Sequence, residues 1–221
     1  MKKAVILLSG GLDSTTCMSV AAKEGYDLYP LSFDYGQKHQ RELEAAKTIA
    51  QSYEVKEHRI IRLDHVGGSA LTDSSLPVPD YEGEDEIPVT YVPARNTLFL
   101  SYALGYGEVI GAEAIFIGIS SVDYSGYPDC RPEFLQAFQK VAEEGTKAGV
   151  DGRVMAIKAP LLYLSKADTI RLAIDNGAPL HLTTSCYRGK EKACGTCDSC
   201  ILRLKGFAES GLKDPIEYVS K

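Results

Sequence analysis

No stretch of this 221-residue chain is apolar for long enough to cross a membrane, since a spanning helix needs about 20 such residues. Met1-Lys2-Lys3 is followed by only a handful of apolar residues before Ser9. That is too few for a secretory signal, so a cytoplasmic protein is expected. Tryptophan, internal repeats and low-complexity tails are missing. An excess of positive charge is missing too. The net charge of -6 disfavours a broad nucleic-acid footprint, and no direct nucleic-acid partner is expected. Two common nucleotide motifs are also absent. Gly189-Lys190-Glu191 is the only Gly-Lys pair, and no Ser or Thr follows its lysine. Gly105-Tyr106-Gly107 meets Ile110 where a dinucleotide fingerprint needs its third glycine.

What is present is a glycine-rich loop, Ser9-Gly10-Gly11-Leu12-Asp13-Ser14, directly after the apolar run Ala4-Val5-Ile6-Leu7-Leu8. Strand, glycine turn and helix start build a phosphate site from backbone alone. Glycine reaches φ values closed to other residues, and the positive end of the following helix reinforces the pull on an anion. Ser9 and Ser14 add hydroxyl donors. Asp13 is a carboxylate beside the expected phosphates, which makes sense with a magnesium ion between them, because that ion takes oxygen ligands from both. The competing reading is a plain βα turn with Ser14 as a helix cap.

Apolar runs alternate with amphipathic stretches. Strands are expected near 4–8, 28–33, 57–63, 114–119 and 154–159, and helices near 14–24, 38–52, 94–110, 132–147 and 165–176. This alternation predicts an α/β fold with a parallel sheet covered on both faces. Ligands in such sheets sit beyond the carboxyl ends of the strands, where strand order reverses. That rule gathers the loops 9–14, 34–39, 120–131 and 160–166. The stretch 64–93 stands apart, with Gly67-Gly68, four prolines and the acidic run Glu82 to Glu86. It reads equally as a lid or a plain surface excursion.

Of six cysteines, Cys17 and Cys130 stand alone, while Cys186, Cys194, Cys197 and Cys200 crowd together. In a reducing cytosol this reads as metal ligation rather than disulfides. Structural zinc favours four ligands and two-residue spacers. Iron–sulfur is the rival. Four thiolates and one Zn²⁺ leave a charge of about -2, which the flanking Arg188, Lys190, Lys192, Arg203 and Lys205 are expected to offset.

The loop SGGLDS resembles the pyrophosphatase loop of the N-type ATP pyrophosphatases, which transfer AMP from ATP to an acceptor oxygen. The resemblance then narrows to the 7-cyano-7-deazaguanine synthase family. It is carried by SGGLDSTTC (9–17), FDYGQKHQRELEAA (33–46), YVPARNTLFLSYAL (91–104), IGISSVDYSGYPDCRPEF (117–134), LSKADTI (164–170) and SCYRG…CGTCDSC (185–200). One departure is Asp168, where relatives carry glutamate. The resemblance implies a five-stranded parallel sheet of the adenine-nucleotide alpha-hydrolase-like, Rossmann-like kind, with order 3-2-1-4-5. It divides the chain into an ATP-pyrophosphatase domain, 1–180, and a zinc-binding segment with a C-terminal helix packed on it, 181–221. It further implies a homodimer, and conversion of 7-carboxy-7-deazaguanine and ammonia to the nitrile through an adenylated carboxylate and an amide, in queuosine biosynthesis.

On this reading Leu8, Ser9, Gly10, Gly11, Leu12, Asp13, Ser14, Thr15 and Thr16 hold ATP, with Asp13 on magnesium. Ser165-x-x-Asp168 forms a capping box. Lys166, at the wrong end of a helix dipole, stabilises charge on the transferring group. Arg95 grips a carboxylate or phosphate, beside Asn96. Asp123 or Asp129 accepts from the deazaguanine edge, and Tyr127, with Tyr124, stacks on it near Arg131. Gln37, His39 and Glu42 complete the pocket wall, although His39 reads by default as an exposed helix residue. Cys130 is expected to be structural, and Cys17 buried.

Overall fold

The computed structural model describes residues 2–37, 41–64, 67–73, 75–80, 87–122, 126–188 and 191–219. Five strands form one parallel sheet: β1 (Lys3–Leu7), β2 (Asp27–Asp34), β3 (Arg59–Arg62), β4 (Ala114–Phe116) and β5 (Ala156–Lys158). Their order is β3-β2-β1-β4-β5, the one expected. β1 is central, with Ala4 paired to Leu28 on one side and Ala114 on the other. Its unbroken apolar run follows from that place, because both faces are covered. Val5 and Leu7 join one core with Leu31, Phe33 and Ile115. Ala4, Ile6 and Leu8 join the other with Phe116.

The described residues hold seven α-helices, α1 (Leu12–Lys23), α2 (Arg41–Ser52), α3 (Arg95–Ile110), α4 (Pro132–Glu144), α5 (Lys147–Val150), α6 (Lys166–Asp175) and α7 (Asp198–Ser210), and two 3-10 turns, Pro128–Cys130 and Leu180–Leu182. α1 and α2 cover one face through Cys17, Met18, Ala21, Ala46 and Ile49. α3 and α4 cover the other through Leu100, Ala103, Leu135 and Phe138. α1 buries polar residues as well. A buried hydroxyl without a partner costs about 1–3 kcal/mol. Here Thr15, Thr16 and Ser19 each donate to a carbonyl earlier in the chain, at 2.8, 2.8 and 2.7 Å.

Some boundaries differ from expectation. The helix expected over 132–147 breaks at Gly145, and Thr146 caps a new short helix by accepting from the Gly149 amide at 2.8 Å. The strand expected over 114–119 ends at Phe116, opposite the last residue of β5, Lys158. Within 64–93, Leu71 and Val92 are buried in the main core, so this stretch packs against the sheet domain. Its acidic run lies outside the described residues.

Two glycines set the carboxyl end of the sheet. Gly10 has φ +84°, and a Cβ there would stand 2.4 Å from the Glu42 carbonyl oxygen and 2.8 Å from the Ala46 nitrogen. A Cβ on Gly118, just beyond β4, would stand 2.9 Å from the Asp13 carbon and Ser14 nitrogen. Only bare backbone lets α2 and the β4 loop close on the turn after β1. Gly10→Ala combines a left-handed conformation with a backbone clash. It should lower stability by about 2–4 kcal/mol in denaturant melts; a wild-type midpoint would refute the close packing.

Candidate functional site

The turn after β1 is held by its own side chains. The Ser14 hydroxyl accepts from the Ser9 amide at 3.2 Å and donates to the Gly11 carbonyl at 3.1 Å. The Gly10 carbonyl accepts from the Thr184 amide at 2.9 Å, which ties the C-terminal segment to the turn. No side chain caps α1 at Gly11. Its first amides therefore keep their capacity to bind an anion.

Opposite them stands Lys166, the first residue of α6. Ser165 caps that helix, accepting from the Asp168 amide at 3.1 Å. The return bond runs from the Ser165 hydroxyl to the Asp168 carboxylate at 2.7 Å. Lys166 donates to both carboxylate oxygens of Asp13, at 2.8 and 2.9 Å. An unfavourable helix dipole costs about 0.3–1 kcal/mol, and hydrogen bonds between charged groups contribute about 1.5–3 kcal/mol, so the pair wins. The anion facing Lys166 is thus Asp13. The lysine stem is fixed by α7: a Cβ on Gly206 would stand 2.4 Å from the Lys166 Cγ.

These groups open into a cavity of about 200 Å³. The same cavity is lined by Arg95, Asn96 and Tyr127, with Tyr35 and Glu42. Arg95 starts α3 after Ala94, whose φ of 54° is left-handed. Burial works against the Arg95 guanidinium, but Tyr35, Cys130 and Asp129 around it more than offset this and raise its pKa. Burial pushes the Glu42 carboxyl up to about 7, with Arg95 opposing. The flat wall beside them includes Phe33 and Phe99, stacked at 4.0 Å. Gln37 shapes the turn that presents Tyr35, accepting from its amide at 2.8 Å and donating to the Phe33 carbonyl at 3.0 Å.

The other sequence candidates fall in different places. Asp129 accepts from the Asn96 amide at 3.0 Å, and its carbonyl accepts from the Asn96 side chain at 3.1 Å. It therefore caps α3 rather than lining the cavity. Arg131 is exposed. Asp123, Tyr124, His39 and Lys190 lie outside the described residues. Cys130 has its thiol pushed up to about 12 by burial and by Asp129, and Cys17 is raised by burial and Asp13. Neither is a thiolate at neutral pH.

The sulfur atoms of Cys186, Cys194, Cys197 and Cys200 lie within 4.8 Å of one another, and none forms a disulfide. A tetrahedral zinc with bonds of about 2.3 Å has ligand edges of about 3.8 Å; Cys194 and Cys200 are 3.9 Å apart. Amides of Thr196 and Cys197 donate to the Cys194 sulfur at 3.4 Å. Bonds from Cys197 and Cys200 hold the Cys186 thiol well below its ordinary range. The donor set fits a thiophilic ion. The flanking cations also pair with carboxylates, Arg188 with Asp80, Lys192 with Glu217, Lys205 with Glu209 and Arg203 with Asp214, while Arg188 also feels Cys194 and Cys197.

Arg203 is a cavity residue that sequence reasoning assigned to the wrong task. Its side chain is 2% exposed. It donates to both Asp214 oxygens at 2.8 and 2.9 Å and to the Thr183 hydroxyl at 2.8 Å. Thr184, Ser185, Tyr187 and Ser199 of the same segment also line the cavity. Position offered one signal: Arg203 follows Cys200 by one helical turn, so the cysteine cluster and Arg203 are placed together by α7.

Residues 3–211 match the family described as queuosine biosynthesis protein QueC. Over 221 residues the chain is 81% identical to 7-cyano-7-deazaguanine synthase 2 of Desulfitobacterium hafniense strain Y51, covering 100% of this chain and 95% of that one. It is 65% identical to the 7-cyano-7-deazaguanine synthase of Acetivibrio thermocellus, covering 100% of both. Among solved structures, the NMN synthetase from Francisella tularensis superposes with a TM-score of 0.54 at 16% identity, over 96% of this chain and 78% of that one. That likeness speaks to the fold alone.

Asp214→Ala strands the buried Arg203 guanidinium, and removing one partner of such a pair costs about 3–5 kcal/mol. Chemical denaturation should register that loss; a change below about 1 kcal/mol would mean that Arg203 is solvated in solution.

Proposed function

The chain belongs to the family of the queuosine biosynthesis protein QueC, and we propose that it converts 7-carboxy-7-deazaguanine and ammonia to 7-cyano-7-deazaguanine, with ATP as the activating cosubstrate. The observation that carries this reading is one cavity lined by the uncapped start of α1, the Lys166–Asp13 pair, the Arg95 guanidinium and aromatic rings.

A carboxylate is a poor electrophile because its leaving group would be oxide. Transfer of AMP to its oxygen supplies a stable leaving group, and ammonia then displaces AMP to give the amide. A second activation, now of the amide oxygen, allows that oxygen to depart and the nitrile to form. The segment Leu8 to Thr16 holds ATP, its phosphates against the first amides of α1. Asp13 would hold magnesium, which when bound neutralises the phosphates. Lys166 stabilises charge on the transferring group. Arg95 orients the substrate carboxylate, with Asn96 and Tyr127 beside it in the cavity lining, and Asp123 accepts from the ring N–H groups. No cysteine serves as a glutaminase nucleophile, so free ammonia is the nitrogen source.

Cys186, Cys194, Cys197 and Cys200 hold a structural zinc in segment 181–221, beside the ATP-binding 1–180. With four protein ligands no position stays open. The enzyme works in the cytoplasm as a homodimer on small molecules. A tRNA-thiolating relative would need RNA contacts, and the net charge of -6 argues against them.

Turnover of the acid with ATP and ammonia, followed by mass spectrometry, should yield amide and then nitrile. Absence of both from folded, ATP-binding protein would refute the reading. Lys166→Met should lower kcat by about 10²–10³-fold while protein still binds ATP. An unchanged kcat would remove Lys166 from the chemistry. Purified protein should be colourless and hold one zinc per chain by elemental analysis, and Cys200→Ser should lose most of it. Brown protein containing iron would overturn the zinc assignment.

A further inference from the structure

The reaction proposed above releases protons from nitrogen at two stages. Ammonia attacks the acyl phosphate, a C–N bond forms, and AMP leaves with the C–O electron pair. The new nitrogen must then shed one proton to become the amide. In the activated amide the C–O bond breaks again, AMP takes that electron pair, and both N–H protons leave as the third C–N bond forms. Each stage needs a base within reach of the same nitrogen.

Most titratable groups of the cavity are already committed. Asp13 is held by Lys166 at 2.8 Å. Asp129 is held by Asn96 and lies off the cavity wall. Cys130 keeps its proton, its thiol pushed up to about 12 by burial. The phenols of Tyr35 and Tyr127 are raised by burial. Glu42 differs. It lines the cavity, and its carboxylate makes no hydrogen bond or ion pair with any described residue. Its position is specific. The Glu42 carbonyl abuts Gly10 of the phosphate loop, and its carboxyl senses Arg95. Its backbone thus abuts the glycine loop while its carboxyl feels the Arg95 charge, and all three residues belong to the walls of one cavity or pack directly on it.

We propose that Glu42 is the catalytic base of both nitrogen steps: its carboxylate takes one proton as the amide forms, releases it to solvent, and then takes the two N–H protons of the activated amide one after the other, passing each to solvent. This role rests on the reaction assigned above. Burial supports it: the carboxyl is pushed up to about 7 against the opposing Arg95, and a general base works best with a pKa near the working pH. The described charged and titratable groups facing Glu42 are Arg95 from α3 and Tyr35 from the turn after β2, with the Asp13–Lys166 pair across the cavity. Because the folded pKa lies above the ordinary carboxylate value, the stability Glu42 contributes is full below that ordinary value. It is lost as pH rises through about 7. Glu42→Gln should therefore fold, and at pH about 8 should melt no lower than wild type.

Rapid-quench kinetics on Glu42→Gln and Glu42→Asp test the role. With the acid, ATP and ammonia, the Gln variant should lose about 10²-fold more in amide formation than in pyrophosphate release, within the usual range for a lost base. The amide supplied directly with ATP should give nitrile more slowly by a similar factor. That step contains no ammonia, so its pH profile reports the enzyme alone. In wild type the rate should rise to a plateau above about pH 7; the inflection should vanish in Glu42→Gln and partly return in Glu42→Asp. A Gln variant with the wild-type pH profile overturns the proposal. So does a raised KM for the acid with unchanged kcat, which would make Glu42 a reader of the ring edge. Wild-type protein that forms neither product overturns the underlying reaction and this role together.

Discussion

The cavity exists because three stretches of backbone meet on Gly10. α2 brings the Glu42 carbonyl to within 2.4 Å of where a Cβ would stand. The Thr184 amide bonds the Gly10 carbonyl at 2.9 Å. α1 starts two residues later with no side-chain cap. A residue with a side chain at this point would push α2 outward, and Glu42 would leave the phosphate loop. The positive φ at Gly10 and the bare Cα answer one requirement: a tight turn in contact with a neighbouring helix.

The C-terminal segment is part of the same construction. Cys186 lies two residues after Thr184, and Cys200 precedes Arg203 by one helical turn, so the four-sulfur cluster pins both ends of the wall it contributes. Arg203, in the cavity lining, is backed by Asp214, which also accepts from the Tyr218 hydroxyl at 2.7 Å. Gly206 then lets α7 press on the stem of Lys166. The four-cysteine segment thus helps set the place of a side chain that pairs with Asp13 of the glycine loop, through helix packing.

Charge in the cavity is arranged in two pairs of unlike character. Lys166 and Asp13 are in contact, which overrides the small dipole penalty at the start of α6. Arg95 and Glu42 sense each other without forming an ion pair. A paired set resists ligand until the ligand replaces the contact. An unpaired set across a gap leaves the charges to whatever enters, and burial already holds the Glu42 carboxyl close to neutrality.

Local rules were enough for the elements, the glycine turn after β1 and the sulfur cluster. Strand alternation, a glycine pair after a buried strand, and two-residue cysteine spacers each act within a few residues, so the amino-acid order by itself determined them. The break at Gly145 escaped because a competing cap at Thr146 differs little in energy from one more helical turn. Asp129 accepts from the amide of Asn96 at the start of α3, 33 positions away, a contact that no local pattern announces. Arg203 looked like a surface cation beside a metal, and its carboxylate partner buries it. Lys166 and Asp13 are 153 positions apart. Their contact, the unpaired stance of Glu42 and the inward turn of the C-terminal wall were decided only by the tertiary structure, because strand order and helix packing bring those residues together and no local preference encodes such distances.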